Sequence, residues 1–158
     1  MITSRYNSAS RVAKYFIWKA NKDGKELTNK RLQKLLYYAQ AWNLTIKDKP
    51  LFKDDIEAWI HGPAVRVVYH EYKKYGYDPI KEKIDTKEIN DLIDDSLLDE
   101  VWKVYGKYDA EYLEELTHNE YPWQKAREGL NSAVASSNII THDSMRNYYR
   151  KRLEDAKS

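Results

Sequence analysis

Apolar residues recur at helical spacing along most of this chain, the mark of helices with one buried face. Val12, Tyr15, Phe16 and Ala20 form the first stripe. Ser8 or Ser10 is placed to cap it, and Asn21-Lys22-Asp23-Gly24 to end it. Leu32, Leu35, Leu36, Ala39, Trp42 or Asn43, and Ile46 form the second and clearest, over about 29–46 behind a Thr28 cap. Lys30, Arg31 and Lys34 fall largely off that stripe. Lys47-Asp48-Lys49-Pro50 stops the helix, because the residue before a proline is pushed out of the helical region. The period then changes. Ile56, Ala58 and Ile60 alternate with Glu57 and Trp59, which predicts a short strand or extended segment. His61-Gly62-Pro63 follows, with proline in the first position of a third helix over about 63–75. That helix carries Val65, Val68, Tyr69, Tyr72 and Tyr75, and Gly76 suits its C-terminal end.

The second half continues the helical pattern with shorter elements. Residues 77–93 are polar, with Tyr77–Ile84 extended and Thr86 capping a helical turn through Ile93. From Ser96, Leu97, Leu98, Val101, Trp102 and Tyr105 predict a helix ending at Gly106. Asp109 caps the next, with Tyr112, Leu113 and Leu116 inward. Pro122 opens a short helix that ends at Gly129, and Asn131–Asn138 reads as a loop. Ile139-Ile140 is an extended anchor. Thr141 caps the last helix, which turns Met145, Tyr148, Tyr149 and Leu153 inward. No repeat or linker interrupts the pattern. The prediction is a mainly α, single domain over 1–158, with a core at about 10–150, six to seven helices and one extended segment near 56–60.

Composition narrows the picture. The chain has 158 residues, enough for a sizeable core, and contains fourteen Tyr and five Trp against two Phe. Tyr and Trp join an apolar body to a polar tip, so they close a modest core and also suit an interaction surface. The chain has no cysteine, which removes disulfides and thiolate metal sites and fits a reducing, cytoplasmic setting. No stretch approaches the length of a membrane span, and the first residues lack the apolar run of a signal peptide. Net charge is +2, unevenly placed: residues 1–80 carry fifteen Lys/Arg against eight Asp/Glu. Residues 82–120 carry thirteen acids against four bases, which disfavours duplex DNA on that face.

Tests for known chemistry return little. A zinc-protease motif needs a second imidazole one turn after His-Glu. His70-Glu71 is followed at that position by Lys74. His61, His118 and His142 show no close ligand spacing. There is no Gly-x-Ser-x-Gly, and the five glycines never cluster as a phosphate loop requires. Asp94-Asp95 and Asp99-Glu100 could pair carboxylates, although acids this frequent are usually surface charge. Tyr148-Tyr149 within the basic Arg146–Arg152 end could stack on unpaired RNA bases, but helical periodicity turns that pair toward the core. A helix-turn-helix is disfavoured by the long connection around Gly24. No cofactor, metal or catalytic set is predicted.

Four ordered blocks carry a family likeness: LTNKRLQKLLYYAQAW, PLFKDDIEAWIHGPAVRVVYHEYKKYG, LTHNEYPWQKAR and IITHDSMRNYY. Together they resemble the Panacea domain of the SocA-like antitoxins, often phage-associated, over about residues 10–150. The resemblance implies a mainly helical antitoxin that binds and neutralises a cognate toxin from a neighbouring gene, with no cofactor and no enzymatic activity. It also implies an alternative, because the founding member is a proteolytic adaptor that delivers its toxin to a Clp-type protease. A nucleic-acid-binding regulator is a third reading. Leu32–Ala39 looks like the family's central helix, and Glu57-Ala58-Trp59 with Gly62-Pro63-Val65 like its strand-to-helix junction. Thr117-His118, Pro122-Trp123 and Ala126-Arg127 look like its third block. Asn43 stands where the family often has His, and His61 where it often has Tyr or another residue.

Most of the motif is accounted for by structure: an apolar stripe, a tight turn and a helix start. Polar groups inside such a motif either satisfy buried backbone or face a partner. The candidate partner-binding residues are therefore Gln33, Trp59, His61, Gly62, Pro63, His118, Trp123 and Arg127.

Overall fold

The computed structural model describes residues 8–92 and 95–157. Seven α-helices among them enclose one small hairpin: α1 (Ala9–Lys22), α2 (Asn29–Lys47), β1 (Glu57–Trp59), β2 (Gly62–Ala64), α3 (Arg66–Tyr72), α4 (Asp95–Tyr105), α5 (Ala110–His118), α6 (Tyr121–Ala126) and α7 (His142–Lys157). The fold is mainly α, as the periodicity predicts. The candidate pair Asp94-Asp95 lies outside the described side chains, and Ile93 outside the described residues.

Helix α2 is the axis of the molecule. Helices α1, α3, α4, α5 and α7 and strand β2 all pack on it. Residues 32–41 are therefore buried on every face, not along one stripe. Leu32, Leu35, Leu36, Tyr37 and Tyr38 are all fully enclosed. Each such leucine contributes roughly 1.5–3 kcal/mol relative to exposure. Thr28 starts the helix by accepting from Arg31 N at 3.3 Å. The helix ends at Asp48, whose φ is +58°.

The enclosure of α2, complete over 32–41 but not at its end, corrects two expectations. Lys34, placed off the apolar stripe, is only 2% exposed, because the hairpin covers the face that would otherwise be solvated. Ile46, placed on the stripe, is 56% exposed, because the last turn of α2 is covered only on the side of Leu44 and Thr45.

The hairpin corrects a third. Pro63 does not open a helix. It lies in β2 opposite Ala58, in the register Glu57 with Ala64, Ala58 with Pro63, and Trp59 with Gly62. Proline fits a strand where its missing N–H is not needed. Ile60 and His61 make the turn, and Gly62 takes φ +107°, a conformation L side chains rarely adopt. Helix α3 consequently starts three residues later than periodicity suggests and gives way to a 3-10 turn at Lys73–Tyr75. On the other edge of β1, Ala58 N donates to Asn138 O and Ile140 N to Ile56 O, both at 2.8 Å. The Ile139-Ile140 anchor thus holds β1 in place, with Ile140 buried and Ile139 half exposed.

The remaining boundaries differ in detail. Asp85, not Thr86, caps the 3-10 turn at Thr86–Glu88. Asp109 caps α5 as expected, accepting from Tyr112 N at 2.8 Å. Thr141 accepts from Ser144 N at 3.1 Å at the start of α7. Tyr149 is buried on α2, whereas Tyr148 and Leu153 are only half-buried.

Candidate functional site

Side chains from three distant parts of the chain converge on the backbone of residues 58–65. A two-stranded hairpin is at best marginally stable alone, so its backbone groups need outside partners. Gln33 on α2 accepts from Val65 N at 2.8 Å through Oε1. Its Nε2 donates to Asn29 Oδ1 at 2.9 Å, and Asn29 Nδ2 donates to Tyr69 O at 3.0 Å. One turn of α2 therefore fixes both the end of β2 and the body of α3.

Lys34, next to Gln33, donates from Nζ to Pro63 O at 3.2 Å. Its side chain runs beneath the turn: a Cβ at Gly62 would stand 2.5 Å from Lys34 Cε and 3.0 Å from Thr117 Oγ1. Glycine at 62 thus meets two demands, a positive φ and the passage of the lysine stem. Burial pushes the Lys34 ammonium down to about 7. Lys30 adds to the effect, and Glu114 opposes it.

The second support is an aromatic and cationic stack behind the hairpin. Trp123 Nε1 donates to Trp59 O at 2.8 Å. His118 stacks on Trp123 at 4.0 Å between ring centroids and hydrogen-bonds the backbone of Ile60. Arg127 lies over the Trp123 ring at 4.9 Å. Its Nη1 donates to Ala58 O at 2.9 Å, and its Nη2 reaches Asn131 O at 3.2 Å and also bonds Val134 O. Arg127 is 3% exposed, so its guanidinium is solvated by carbonyls instead of water.

The hairpin presents an open side as well. A cavity of about 750 Å³ lies between it, α2 and α3, with residues of the 135–137 loop at its edge. Trp59 forms part of the wall and meets Tyr69 edge to face at 5.0 Å. Arg66 sits 5.4 Å above the Trp59 ring and binds Glu57 at 2.7 Å. The Arg66 bonds, outweighing burial, hold Glu57 below the usual carboxylate range. His61, exposed at the turn, places Nδ1 3.2 Å from Glu114 Oε1, which also binds Lys30 at 2.7 Å. Burial acts to raise the Glu114 carboxyl, but Lys30, with help from His61 and His118, outweighs it and lowers the group. Burial lowers His118 in turn.

Of the eight candidate residues, Gln33, Trp59, His61 and Gly62 line the cavity. Pro63 is enclosed beside it, and His118, Trp123 and Arg127 stand behind the hairpin as its supports. The sequence spacing of the histidines does not anticipate that His61 and His118 flank one carboxylate, Glu114. No group of three His, Asp or Glu side chains among the described residues is arranged to hold a metal. Sequence reasoning also missed Asn29, Lys34 and Tyr69. The first had a legible signal, since Asn29 and Gln33 form an i, i+4 polar pair inside a buried helix.

A family model described as "Antitoxin SocA-like, Panacea domain" matches residues 32–124, from α2 to α6 and more than half of the chain. The chain belongs to this SocA-like antitoxin family. The match includes seven of the eight candidate residues and stops just short of Arg127. It is narrower than the likeness over 10–150, and leaves out α1 and α7. Comparison with curated proteins and with solved structures gave no match. The family's defining segment is thus the buried helix α2 together with the hairpin and most of the side chains that hold it.

Proposed function

We propose that this SocA-like protein is the antitoxin of a toxin–antitoxin pair and neutralises its cognate toxin in the cytoplasm by direct, stoichiometric binding. Family membership over residues 32–124 carries this reading. The chain acts as a binding protein, and catalysis is not required of any residue. No helix among the described residues is long and apolar enough to cross a membrane.

The hairpin face is the interface we favour. Its backbone is braced from behind by Gln33, Trp123 and Arg127, so it meets a partner already ordered and loses little entropy on binding. Its outward residues include Trp59, His61, Arg66 and Tyr77, the last 96% exposed. Trp, Tyr and Arg are the residue types that most often dominate binding energy.

The test is co-expression with the product of the neighbouring gene. That product should arrest growth alone, and this protein should restore growth and co-purify with it. Tyr77→Ala with Arg66→Ala should weaken both effects while leaving the fold intact. A neighbour without toxicity, or toxicity that persists with this protein present, overturns the proposal. Rescue that disappears in a host lacking Clp protease assigns the adaptor mechanism instead, and a salt-sensitive shift of the operon's promoter DNA would reveal a regulatory role.

A further inference from the structure

The cavity beside the hairpin shares Trp59, His61, Arg66 and Tyr77 with the favoured interface, but its buried Lys34 has no part in that reading. Its volume, about 750 Å³, falls within the range of small-molecule sites. Lys30, Lys34, Arg66 and Lys73 line it, whereas no Asp or Glu does among the described residues. Two of these cations already have carboxylate partners outside the cavity: Lys30 with Glu114 and Arg66 with Glu57, each at 2.7 Å. Lys73 has no acidic partner among the described residues.

Lys34 is the deciding group. It is 2% exposed, and its ammonium donates to one neutral acceptor, Pro63 O at 3.2 Å. Glu114 acts on it only through the field, being bonded to Lys30 and His61. An ammonium buried without a bonded counter-ion is costly, which is why this one titrates low, and an anion entering the cavity would favour its charged form. The wall beside it is aromatic, with Trp59 and Tyr69 packed edge to face. A cationic floor and an aromatic wall together select a ligand with an anionic end and a flat apolar body.

We propose that this cavity binds a small organic anion of about mononucleotide size, with its phosphate or carboxylate on Lys34 and its aromatic body against Trp59 and Tyr69. The site needs no partner protein, so its test is separate from that of the antitoxin role.

The experiment is calorimetric titration of the purified full chain with adenosine 5′-monophosphate, indole-3-acetate, adenosine and inorganic phosphate. One or both aromatic anions should bind saturably, and which one does so separates a nucleotide from an aromatic acid. Adenosine and inorganic phosphate should each bind at least about tenfold more weakly, since each lacks one half of the recognition. Lys34→Met keeps the stem and removes the charge, and should weaken the aromatic anion by about tenfold or more. Lys73→Ser, at an exposed position that leaves the core untouched, should weaken it by a smaller factor and serves if Lys34→Met fails to fold. No binding of either aromatic anion up to about 5 mM overturns the proposal. So does adenosine binding as well as its phosphate, inorganic phosphate binding as well as the aromatic anions, or unchanged affinity in both variants.

Discussion

Arg127 Nη1 donates a 2.9 Å hydrogen bond to the carbonyl oxygen of Ala58, a residue 69 positions earlier in the chain. The same guanidinium lies over Trp123, whose indole Nε1 donates to the next carbonyl along β1, that of Trp59. Hairpin, α6 and the 131–134 loop are thereby closed into one unit. Removing the guanidinium would leave the buried Ala58 carbonyl unpaired and release the exposed 131–134 loop from the hairpin. Arg127→Ala is expected to destabilise the protein by about 2–4 kcal/mol. Arg127→Lys should recover less than half, because an ammonium cannot reproduce the planar fork or its stacking. Urea unfolding of both variants checks this. A loss under about 1 kcal/mol for Arg127→Ala would remove the bracing role.

Gly62 and Lys34 are coupled by space. Gly62→Ala would place a methyl 2.5 Å from Lys34 Cε at a φ of +107°. The two costs are separable, since the backbone strain belongs to residue 62 alone while the clash needs the lysine stem. Gly62→Ala should destabilise by roughly 2–4 kcal/mol, of which about 1–3 kcal/mol is conformational strain. In a Lys34→Ala background the same change should cost less, by at least about 0.5 kcal/mol. A double-mutant cycle with strictly additive costs would show that the stem does not pack under the turn.

Much of the helical frame was legible because burial writes a period into the chain. Val12, Phe16, Leu32, Leu35, Leu36, Leu98, Val101 and Leu113 all fall where helical spacing puts them, and all are in the core. The failures occur where burial is not one-sided. On α2 the enclosure is complete over 32–41, so Lys34 and Gln33 are inside despite their charge or polarity. At Gly62-Pro63 the local signal for a helix start is real, but pairing with β1 and the pull of Lys34 on Pro63 O place the proline in a strand. The cavity left no trace in the sequence, since Lys34, Trp59 and Tyr69 meet only after α2, β1 and α3 have docked.

Gln33 offers a test by hydrogen exchange. Its Oε1 is the acceptor for Val65 N, at the point where β2 becomes α3. The junction has no side-chain cap of its own, so this distant amide takes the place of one. Gln33→Leu would leave the buried Val65 N–H unpaired and remove the donor to Asn29. A loss of about 2–3 kcal/mol is expected. The amide of Val65 should lose protection well beyond that of the Leu35 and Leu36 amides within α2. Uniform loss along both segments would mean that Gln33 supports the core generally and not this junction.

Glu120 supplies the pH dependence. It is 3% exposed, and its Oε1 accepts from Tyr149 OH at 2.6 Å and Tyr38 OH at 3.1 Å. Tyr149 also contacts Tyr37 OH at 3.4 Å, and Arg152 acts on the carboxylate through the field. Burial raises the carboxyl from 4.5 to about 6, against the two tyrosine bonds and Arg152. Between those values the folded protein holds more protons than the unfolded chain. This group's contribution to stability therefore falls as pH rises through the interval, and the deficit is complete above it. At neutral pH it amounts to about 2 kcal/mol. Glu120→Gln keeps an acceptor for the two hydroxyls and cannot ionise. Its stability relative to the unsubstituted protein should accordingly climb by about 2 kcal/mol between about pH 4.5 and pH 7. Urea unfolding of both proteins at pH 4.5, 5.5 and 7 measures that difference. A difference independent of pH would show that Glu120 titrates as an ordinary carboxylate and that the tyrosine cluster compensates its burial fully.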